Sequence, residues 1–148
     1  GLTFAGALEE RIIKPLKMTS SGYKEQSVIM PKFARPYYGS QQAENNGEFR
    51  YENAQYRDRS TAISTGGIHS TIEDMRLWVQ SNLNQTLLPK NLYELMFTDH
   101  GATFGYGWQI DRKEFKKWDD SVTTYSHNGS ISGYRAQVLL FPKLLQIH

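Results

Sequence analysis

The sequence predicts an α+β fold in which helices pack beside an incomplete antiparallel sheet. Two observations predict it: helical patterns dominate the structured parts of the first hundred residues, and short β-type runs follow them to the end of the chain. Helices followed by strands favour α+β over alternating parallel units. We therefore expect residues 1–104 to form a helical and long-loop part, and residues 105–148 to form the antiparallel strand part of the same domain.

The first predicted helix covers Phe4–Ile13, where apolar residues recur at helical spacing. Pro15 should end it one or two residues earlier, because proline disfavours helical backbone in the residue before it. The segment Thr19–Ser60 is polar, dotted with aromatic residues and rich in Gly, Asn and Gln. We expect a long irregular segment here, and segments of that length usually wrap a functional site.

A second helix should begin after Ser70 or Thr71, either of which can act as its N-cap. Glu73 or Asp74 then falls in the first turn, as a capping box prefers. Apolar residues at helical spacing carry this helix to residues 82–84.

The remaining elements follow in order. Leu87–Phe97 predicts a shorter helix with Pro89 in its first turn. Gly105–Ile110 is aromatic and β-like, and it opens a strand region that includes Val122–Tyr125 and Ala136–Phe141. At most three strands are visible, so the predicted sheet has an edge that needs cover.

Composition excludes several classes of function. Seventeen Lys and Arg against fifteen Asp and Glu give a net charge of +2, and the basic residues are scattered apart from Arg112–Lys117. That cluster predicts a solvated turn, and we expect no nucleic-acid partner. There is no cysteine, and no His or carboxylate pair has metal-ligand spacing, so we expect no metal and no cofactor. No apolar run reaches 18 residues, so no membrane span is predicted.

The stretch Tyr125–Tyr134 is the strongest candidate for a functional site. It predicts a hairpin whose first strand carries His127 and whose tip is opened by Gly129 and Gly133. Glycine allows a ligand or another backbone to approach closely, and a histidine at the mouth of a cleft can titrate near neutral pH. The alternative is structural, because Asn128 and Gly129 together form a common turn dipeptide.

Four short sequence patterns follow one another along the chain. They are Ile13-Lys14-Pro15-Leu16-Lys17-Met18, Gly66-Gly67-Ile68-His69-Ser70-Thr71 with Asp74, Tyr106-Gly107-Trp108, and His127-Asn128-Gly129 with Gly133-Tyr134. Together they resemble the beta-lactamase-related serine hydrolases, a family that groups class C beta-lactamases, D-alanyl-D-alanine carboxypeptidases (penicillin-binding proteins) and related esterases. The resemblance covers nearly all of the chain. One departure is Lys17, where the family usually has glycine, and this substitution should affect only a turn.

The resemblance implies a partial beta-lactamase/transpeptidase-like fold and hydrolysis of an amide or ester through a seryl-enzyme intermediate. By resemblance, the cation of His127 lies near the nucleophile. The backbone N–H of Ser130 is one of two oxyanion-hole donors, and Gly129 keeps this wall flat for the acyl chain. The family also implies a periplasmic or other extracytoplasmic location, which the residues themselves do not assign.

The family's nucleophile belongs to a Ser-x-x-Lys motif that lies well before the Pro-Leu segment, and only about a dozen residues precede Pro15 here. The resemblance therefore implies a truncated, C-terminal portion of such an enzyme, which lacks the nucleophile and is inactive alone. A small-molecule or peptide substrate would bind only together with the missing part. The alternative is a non-catalytic assembly module that forms a homo-oligomer or exchanges strands through its sheet edges.

Two further matches to the family's motifs are rejected as catalytic. Ser21-Gly22-Tyr23-Lys24 fits Ser-x-x-Lys, and Tyr51-Glu52-Asn53 fits a second family motif, Tyr-x-Asn. Both follow the Pro-Leu segment instead of preceding it. Gly22 also disfavours the helical turn that would place Lys24 beside Ser21. We interpret Tyr51 as an aromatic loop anchor.

Other histidines and aromatic residues have structural interpretations. His69 should be structural, and His100 should lie in a loop. The core should contain three aromatic residues: Trp78, Tyr106 and Trp108. Tyr134 could serve either the core or the site.

Overall fold

A computed structural model describes residues 1–23, 29–41, 49–55, 63–115 and 120–142. Five α-helices lie in these ranges: α1 Phe4–Leu8, α2 Lys14–Leu16, α3 Ile63–Gly66, α4 Ile72–Leu83 and α5 Lys90–Met96. A π-helical segment, Glu9–Ile13, joins α1 to α2. Seven strands lie in the same ranges: β1 Gly22–Tyr23, β2 Tyr37–Gln41, β3 Phe49–Asn53, β4 Ile68–His69, β5 Gln109–Phe115, β6 Asp120–Ile131 and β7 Tyr134–Leu140.

The strands form small antiparallel sheets, and the largest has the order β5–β6–β7. The other two are pairs, β1 with β4 and β2 with β3. Helices and an antiparallel sheet in one chain confirm the predicted α+β class. In this order β6 lies between two strands that pair with different parts of its length, so part of β6 has a neighbouring strand on one side only.

The first helical region continues past the position where the sequence predicted its end. Helical backbone runs through Pro15 to Leu16, and the chain leaves it at Lys17, whose φ is 56°. The π-helical turns before Pro15 widen the backbone, which relieves the clash of the proline ring with the carbonyl one turn earlier. The predicted end near Ile13 was therefore wrong. Lys17 adopts the left-handed conformation for which glycine is suited, and the substitution does fall in a turn.

The segment predicted to be irregular contains a hairpin of β2 and β3. Tyr37 pairs with Asn53 and Gln41 with Phe49. The hairpin is fastened to the β6–β7 turn, because the backbone N–H of Tyr37 donates to the carbonyl of Gly133 at 3.2 Å. The prediction failed because polar residues and Gly39 masked a short strand pattern, and pairing with a distant turn supplies the support that the local sequence lacks.

Helix α4 agrees with the prediction at both ends. Thr71 is the N-cap, and its hydroxyl accepts the backbone N–H of Asp74 at 3.3 Å. The helix ends at Leu83, within the predicted range. The next helix, α5, begins directly after Pro89 and is shorter at both ends than predicted.

A cluster of aromatic rings joins α4 and α5 to the sheet. Trp108 is 3% exposed, and its ring stacks on Trp78 with the centroids 5.4 Å apart. Phe97 contacts both Trp108 and the ring of Tyr125. The prediction of a core position is confirmed for Trp108. It was wrong for Tyr106, which is 62% exposed, because a tight turn directs this side chain to solvent.

The partly buried Tyr125 should make the folded state less stable at alkaline pH. Its ring centroid lies 4.4 Å from that of Phe97, and burial raises its pKa because the phenolate loses hydration. A pKa that is higher in the folded state stabilises the protein below the unfolded-state pKa near 10. This contribution is lost as the pH rises through the folded-state value. We expect the melting temperature of the wild-type chain to fall more steeply above pH 10 than that of Tyr125→Phe. Equal slopes would contradict this account.

Candidate active site

The candidate site lies at the end of β6 where the strand has a partner on one side only. β5 pairs with Asp120–Ser126, and β7 pairs with Tyr125–Ile131. Beyond Ser126, no strand of the described residues lies on the β5 side of β6. The segment His127–Ile131 therefore presents one backbone edge for interaction.

A turn at the start of β5 ends the pairing at Ser126. The backbone N–H of Gly105 donates to the carbonyl of Trp108 at 2.9 Å, and Gly107 has a φ of 79°. A side chain at Gly105 would meet the backbone carbonyl of Met96 at 2.2 Å. The Tyr-Gly-Trp motif thus turns the chain away from β6 and buries Trp108 beneath the turn.

The β6–β7 turn fixes which backbone groups point to the open edge. Ile131 and Tyr134 flank two residues with positive φ, Ser132 at 43° and Gly133 at 81°. This is the type I′ turn that suits a two-residue hairpin. In such a turn the carbonyl of the first flanking residue accepts from the N–H of the second, so Ile131 and Tyr134 are a hydrogen-bonded pair. Pairs alternate along an antiparallel ladder, so the next residue, Ser130, directs its N–H and C=O away from β7.

The predicted oxyanion donor therefore points to the open edge of β6. The same alternation places Asn128 in the equivalent orientation. Asn128 and Gly129 lie inside the strand, opposite Gln137 and Ala136. The turn interpretation of this dipeptide was wrong, because the turn forms at Ser132 and Gly133, where the positive φ angles occur.

Side chains alternate along β6, so His127, Gly129 and Ile131 share one face of the sheet. A methyl group at Gly129 would make only ordinary contact, 3.6 Å from the Cβ of Ala136, so this part of the face is open. The side chain of His127 is exposed opposite Val138.

A groove of about 1300 Å³ adjoins this face. One wall comes from β6 and β7, including Gly129 and Ser130, and another comes from α4. Residues 19–21, the segment Met30–Ala34 and residues near His69 complete the lining, whereas His127 is not part of it. Two of the three predicted site residues therefore line one concave surface, and the third lies on the same sheet face outside that lining.

Paired glycines allow two elements to approach closely beside the groove. A Cβ at Gly66 would lie 2.7 Å from Cδ1 of Ile131, and a Cβ at Gly67 would lie 2.2 Å from the ring of Tyr23. The Gly-Gly motif therefore serves packing: it lets α3 contact the end of β6 and lets the Tyr23 ring cover the backbone.

A cluster of polar side chains that the sequence analysis did not predict connects α4 to Ser20 and Ser21, which follow the Pro-Leu segment (residues 13–18). The carboxylate of Asp74, only 6% exposed, accepts the N–H of Ser20 at 2.8 Å and the hydroxyl of Ser21 at 2.7 Å. The Ser21 and Ser70 hydroxyls are also hydrogen-bonded, 2.7 Å apart. The only sequence signal was that Asp74 belongs, with Ser70 and Thr71, to the second of the four patterns that carry the family resemblance. The capping interpretation accounted for the backbone of Asp74 and not for its side chain.

Most described residues of the two rejected motif matches, Ser-x-x-Lys and Tyr-x-Asn, lie in short strands. Gly22 and Tyr23 form a strand with β4 and not a helical turn; Lys24 lies outside the described residues. Tyr51 is on β3, 74% exposed, with its ring 5.1 Å from that of Phe49. The loop-anchor interpretation of Tyr51 was wrong, because the residue lies on a solvent-facing strand.

The remaining predicted residues have local contacts. His100 lies in a loop, and its Nε2 is 2.8 Å from the carbonyl oxygen of Leu95. His69 pairs with Gly22 through β4, and the hydroxyl of Tyr134 donates to the carbonyl of Ala34 at 2.8 Å. Arg112 lies on β5 and contacts Ser121, so the predicted turn at this basic cluster was wrong in its described part.

The described ranges contain no group of three or more His, Asp or Glu side chains placed to hold a metal ion. In the same ranges, no helix has the length and hydrophobicity needed to cross a bilayer.

Helices beside a short antiparallel sheet, with an open strand edge and a glycine-bearing groove wall, define part of an α+β domain. The Beta-lactamase family profile matches residues 1–144, and the chain belongs to this family. A penicillin binding protein from Bacillus halodurans has a similar fold, with a TM-score of 0.70 and 20% sequence identity. That alignment covers 97% of this chain and 42% of the Bacillus halodurans chain, so this chain spans less than half of that protein. No curated protein matches the sequence.

Proposed function

We propose that the chain forms one wall of an acyl-transfer site in a serine hydrolase that cleaves an amide or ester through a seryl-enzyme intermediate. The observation that carries the proposal is the open edge of β6, where Ser130 directs its N–H away from β7. A rigid backbone donor of this kind stabilises the developing oxyanion by about 3 kcal/mol.

Gly129 and His127 complete the proposed wall. Gly129 leaves room for an acyl group on the sheet face. His127, on the same face and exposed, can place a proton-bearing ring near the leaving group or a substrate carboxylate. The attacking serine and the second oxyanion donor come from a part of the family fold outside these 148 residues. This assignment rests on family membership and on the partial coverage of the Bacillus halodurans protein.

The chain alone should not turn over substrate, because an oxyanion wall without a nucleophile supports no covalent step. We expect incubation with a chromogenic cephalosporin, and separately with an activated ester, to give hydrolysis at the rate of buffer. Ser21→Ala is the matched control. Turnover by the wild-type chain that disappears in this variant would make Ser21 the nucleophile and would contradict the proposal.

A second candidate function is assembly through sheet edges. It is favoured by the incomplete three-stranded sheet, since β6 beyond Ser126 has no neighbour on one side among the described strands. Such an edge can add a strand from another chain. A concentration-dependent mass in light scattering would support this function, and a monomer at all concentrations would contradict it.

A further inference from the structure

A second pocket lies between the C-terminal end of α4, helix α5 and the sheet, and its lining shares no residue with that of the groove. We name it the α5 pocket, and its most deeply buried lining residues are Tyr93 and Leu140, each 1% exposed. Its volume is about 340 Å³, whereas a cavity of about 150 Å³ already holds benzene. The α5 pocket therefore has room for one aromatic ring that carries a short substituent.

Aromatic rings line the α5 pocket beside the sheet. The centroids of Phe97 and Tyr125 are 4.4 Å apart, and those of Phe97 and Tyr93 are 6.3 Å apart. The hydroxyl of Tyr93 is already engaged, because it accepts the N–H of Leu87 at 3.0 Å and donates to the carbonyl of Ser81 at 3.3 Å. The hydroxyl of Tyr125 has no hydrogen-bond partner among the described residues and is not fully enclosed. It is therefore the aromatic hydroxyl in the lining that a ligand can reach.

The charge of the α5 pocket favours a positively charged ligand. Glu94 is the one residue of its described lining that is charged at neutral pH, and neither lysine nor arginine nor histidine lines it. The carboxylate is exposed and forms no ion pair within the described ranges, not even with Lys90 one helical turn away. The C-terminal end of α4 contributes partial negative charge through its last carbonyl groups. Both features repel an anion and attract a cation.

The end of α4 also places a polar side chain in the lining. Gln85 has a φ of 53°. Its N–H donates to the carbonyl of Asn82 at 3.4 Å, and the next N–H, that of Thr86, donates to the carbonyl of Ser81 at 3.0 Å. This is a Schellman motif, in which glycine usually occupies the left-handed position, and other residues held in that conformation concentrate at functional sites. The exposed Gln85 adds an amide oxygen to which an ammonium group can donate.

We propose that the α5 pocket binds a small organic cation that consists of one apolar ring with an attached ammonium group. The ring packs against Phe97 and Tyr125, and the ammonium group lies beside the carboxylate of Glu94 and donates to the Tyr125 hydroxyl. An ammonium group close to aromatic faces is also attracted by their π electrons. The proposal is independent of the proposed function, because no residue assigned to the acyl-transfer site lines this pocket.

The test is an NMR titration of the 148-residue chain with 2-phenylethylamine, with 2-phenylethanol and phenylacetate as a neutral and an anionic ligand of similar shape. We expect a dissociation constant of about 1 mM for the amine, about tenfold weaker binding of the alcohol, and no binding of the acid. The backbone amide signals of Gln85 and Phe97 should shift. The signal of Ser130 should not, because Ser130 lines the groove and not the α5 pocket.

Two substitutions identify the groups that hold the ammonium group. Glu94→Gln should weaken binding of the amine by about threefold, because an exposed ion pair is lost. Tyr125→Phe should weaken it by about the same factor, because a hydrogen bond is lost. The matched control is Glu52→Gln on β3, which removes an exposed carboxylate outside the pocket and should bind the amine like the wild type.

Four results would overturn the proposal: no saturable binding of the amine, equal affinities for the amine and the alcohol, signal shifts centred on Ser130, or equal affinities in Glu94→Gln and Glu52→Gln. The comparison of the three ligands uses the wild-type chain, so it decides the proposal even if a variant fails to fold.

Discussion

Replacing Asp74 with alanine should lower the free energy of unfolding by about 2–4 kcal/mol, because two hydrogen bonds to its buried carboxylate are lost. The carboxylate accepts from the N–H of Ser20 and the hydroxyl of Ser21, and it is almost inaccessible to water. These bonds join residues more than 50 positions apart in the sequence, so their loss separates the Pro-Leu segment from α4. Urea denaturation followed by circular dichroism measures the change.

Two variants separate the side chain of Asp74 from its place in the helix. Asp74→Asn keeps an oxygen acceptor of the same shape and should lose about half as much stability, since the bonds to a charged acceptor are the stronger ones. Glu73→Ala removes the neighbouring carboxylate, which is exposed, and should cost about 0.3–1 kcal/mol through the helix dipole. If Asp74→Ala were no more damaging than Glu73→Ala, the polar cluster would have no structural role.

Replacing Gly133 with alanine should have an effect of similar size, about 2–4 kcal/mol, from backbone strain and steric overlap together. Its φ is 81°, and an added Cβ would lie 2.5 Å from the Cβ of Ala54 and 3.0 Å from the backbone nitrogen of Tyr37. The hairpin of β2 and β3 should detach from the turn, and hydrogen exchange at the Tyr37 N–H should accelerate.

Gly107→Ala is the matched control for this substitution. Gly107 has nearly the same φ, 79°, but no atom lies within 4 Å of the position of an added Cβ. It should show only the backbone cost of about 1–2 kcal/mol and no change in exchange at Tyr37. Equal losses in the two variants would show that the contacts around Gly133 do not matter.

The sequence predicted those helices and strands whose ends are set by nearby residues, such as an N-cap or a turn. The N-cap at Thr71 and the turn at Ser132 and Gly133 shape the backbone around them, so α4 and the last hairpin could be expected. Pro15 misled the prediction because its conflict with the helix is relieved by a π-helical segment that no residue pattern marks. The β2–β3 hairpin depends on contact between Tyr37 and Gly133, 96 positions further along the chain, and such support is invisible in a local window.

The candidate site residues could be named from the sequence, whereas their geometry could not be predicted from it. Family motifs indicated Gly129 and Ser130, and the structure places both in the lining of a groove. The open edge could not be predicted, because it depends on where β5 begins, and the turn at Gly105–Trp108 determines that position through packing of Trp108. His127 lies on the expected strand, and its catalytic role stays a prediction.

The central proposal is that the Ser130 N–H stabilises the oxyanion that forms on the substrate carbonyl when a serine outside this chain attacks it. Ser130→Pro removes that donor without breaking a hydrogen bond to β7, because the N–H faces an unpaired edge where proline is tolerated, whereas Ser130→Ala keeps it. With the polypeptide encoded before Gly1 added, mass spectrometry after reaction with a fluorescent penicillin or an activated ester should find the acyl group on that polypeptide. Its rate of formation should fall by about 10²–10³ for Ser130→Pro and stay near wild type for Ser130→Ala. Equal rates in the two variants, or an acyl group on Ser21, would contradict the account.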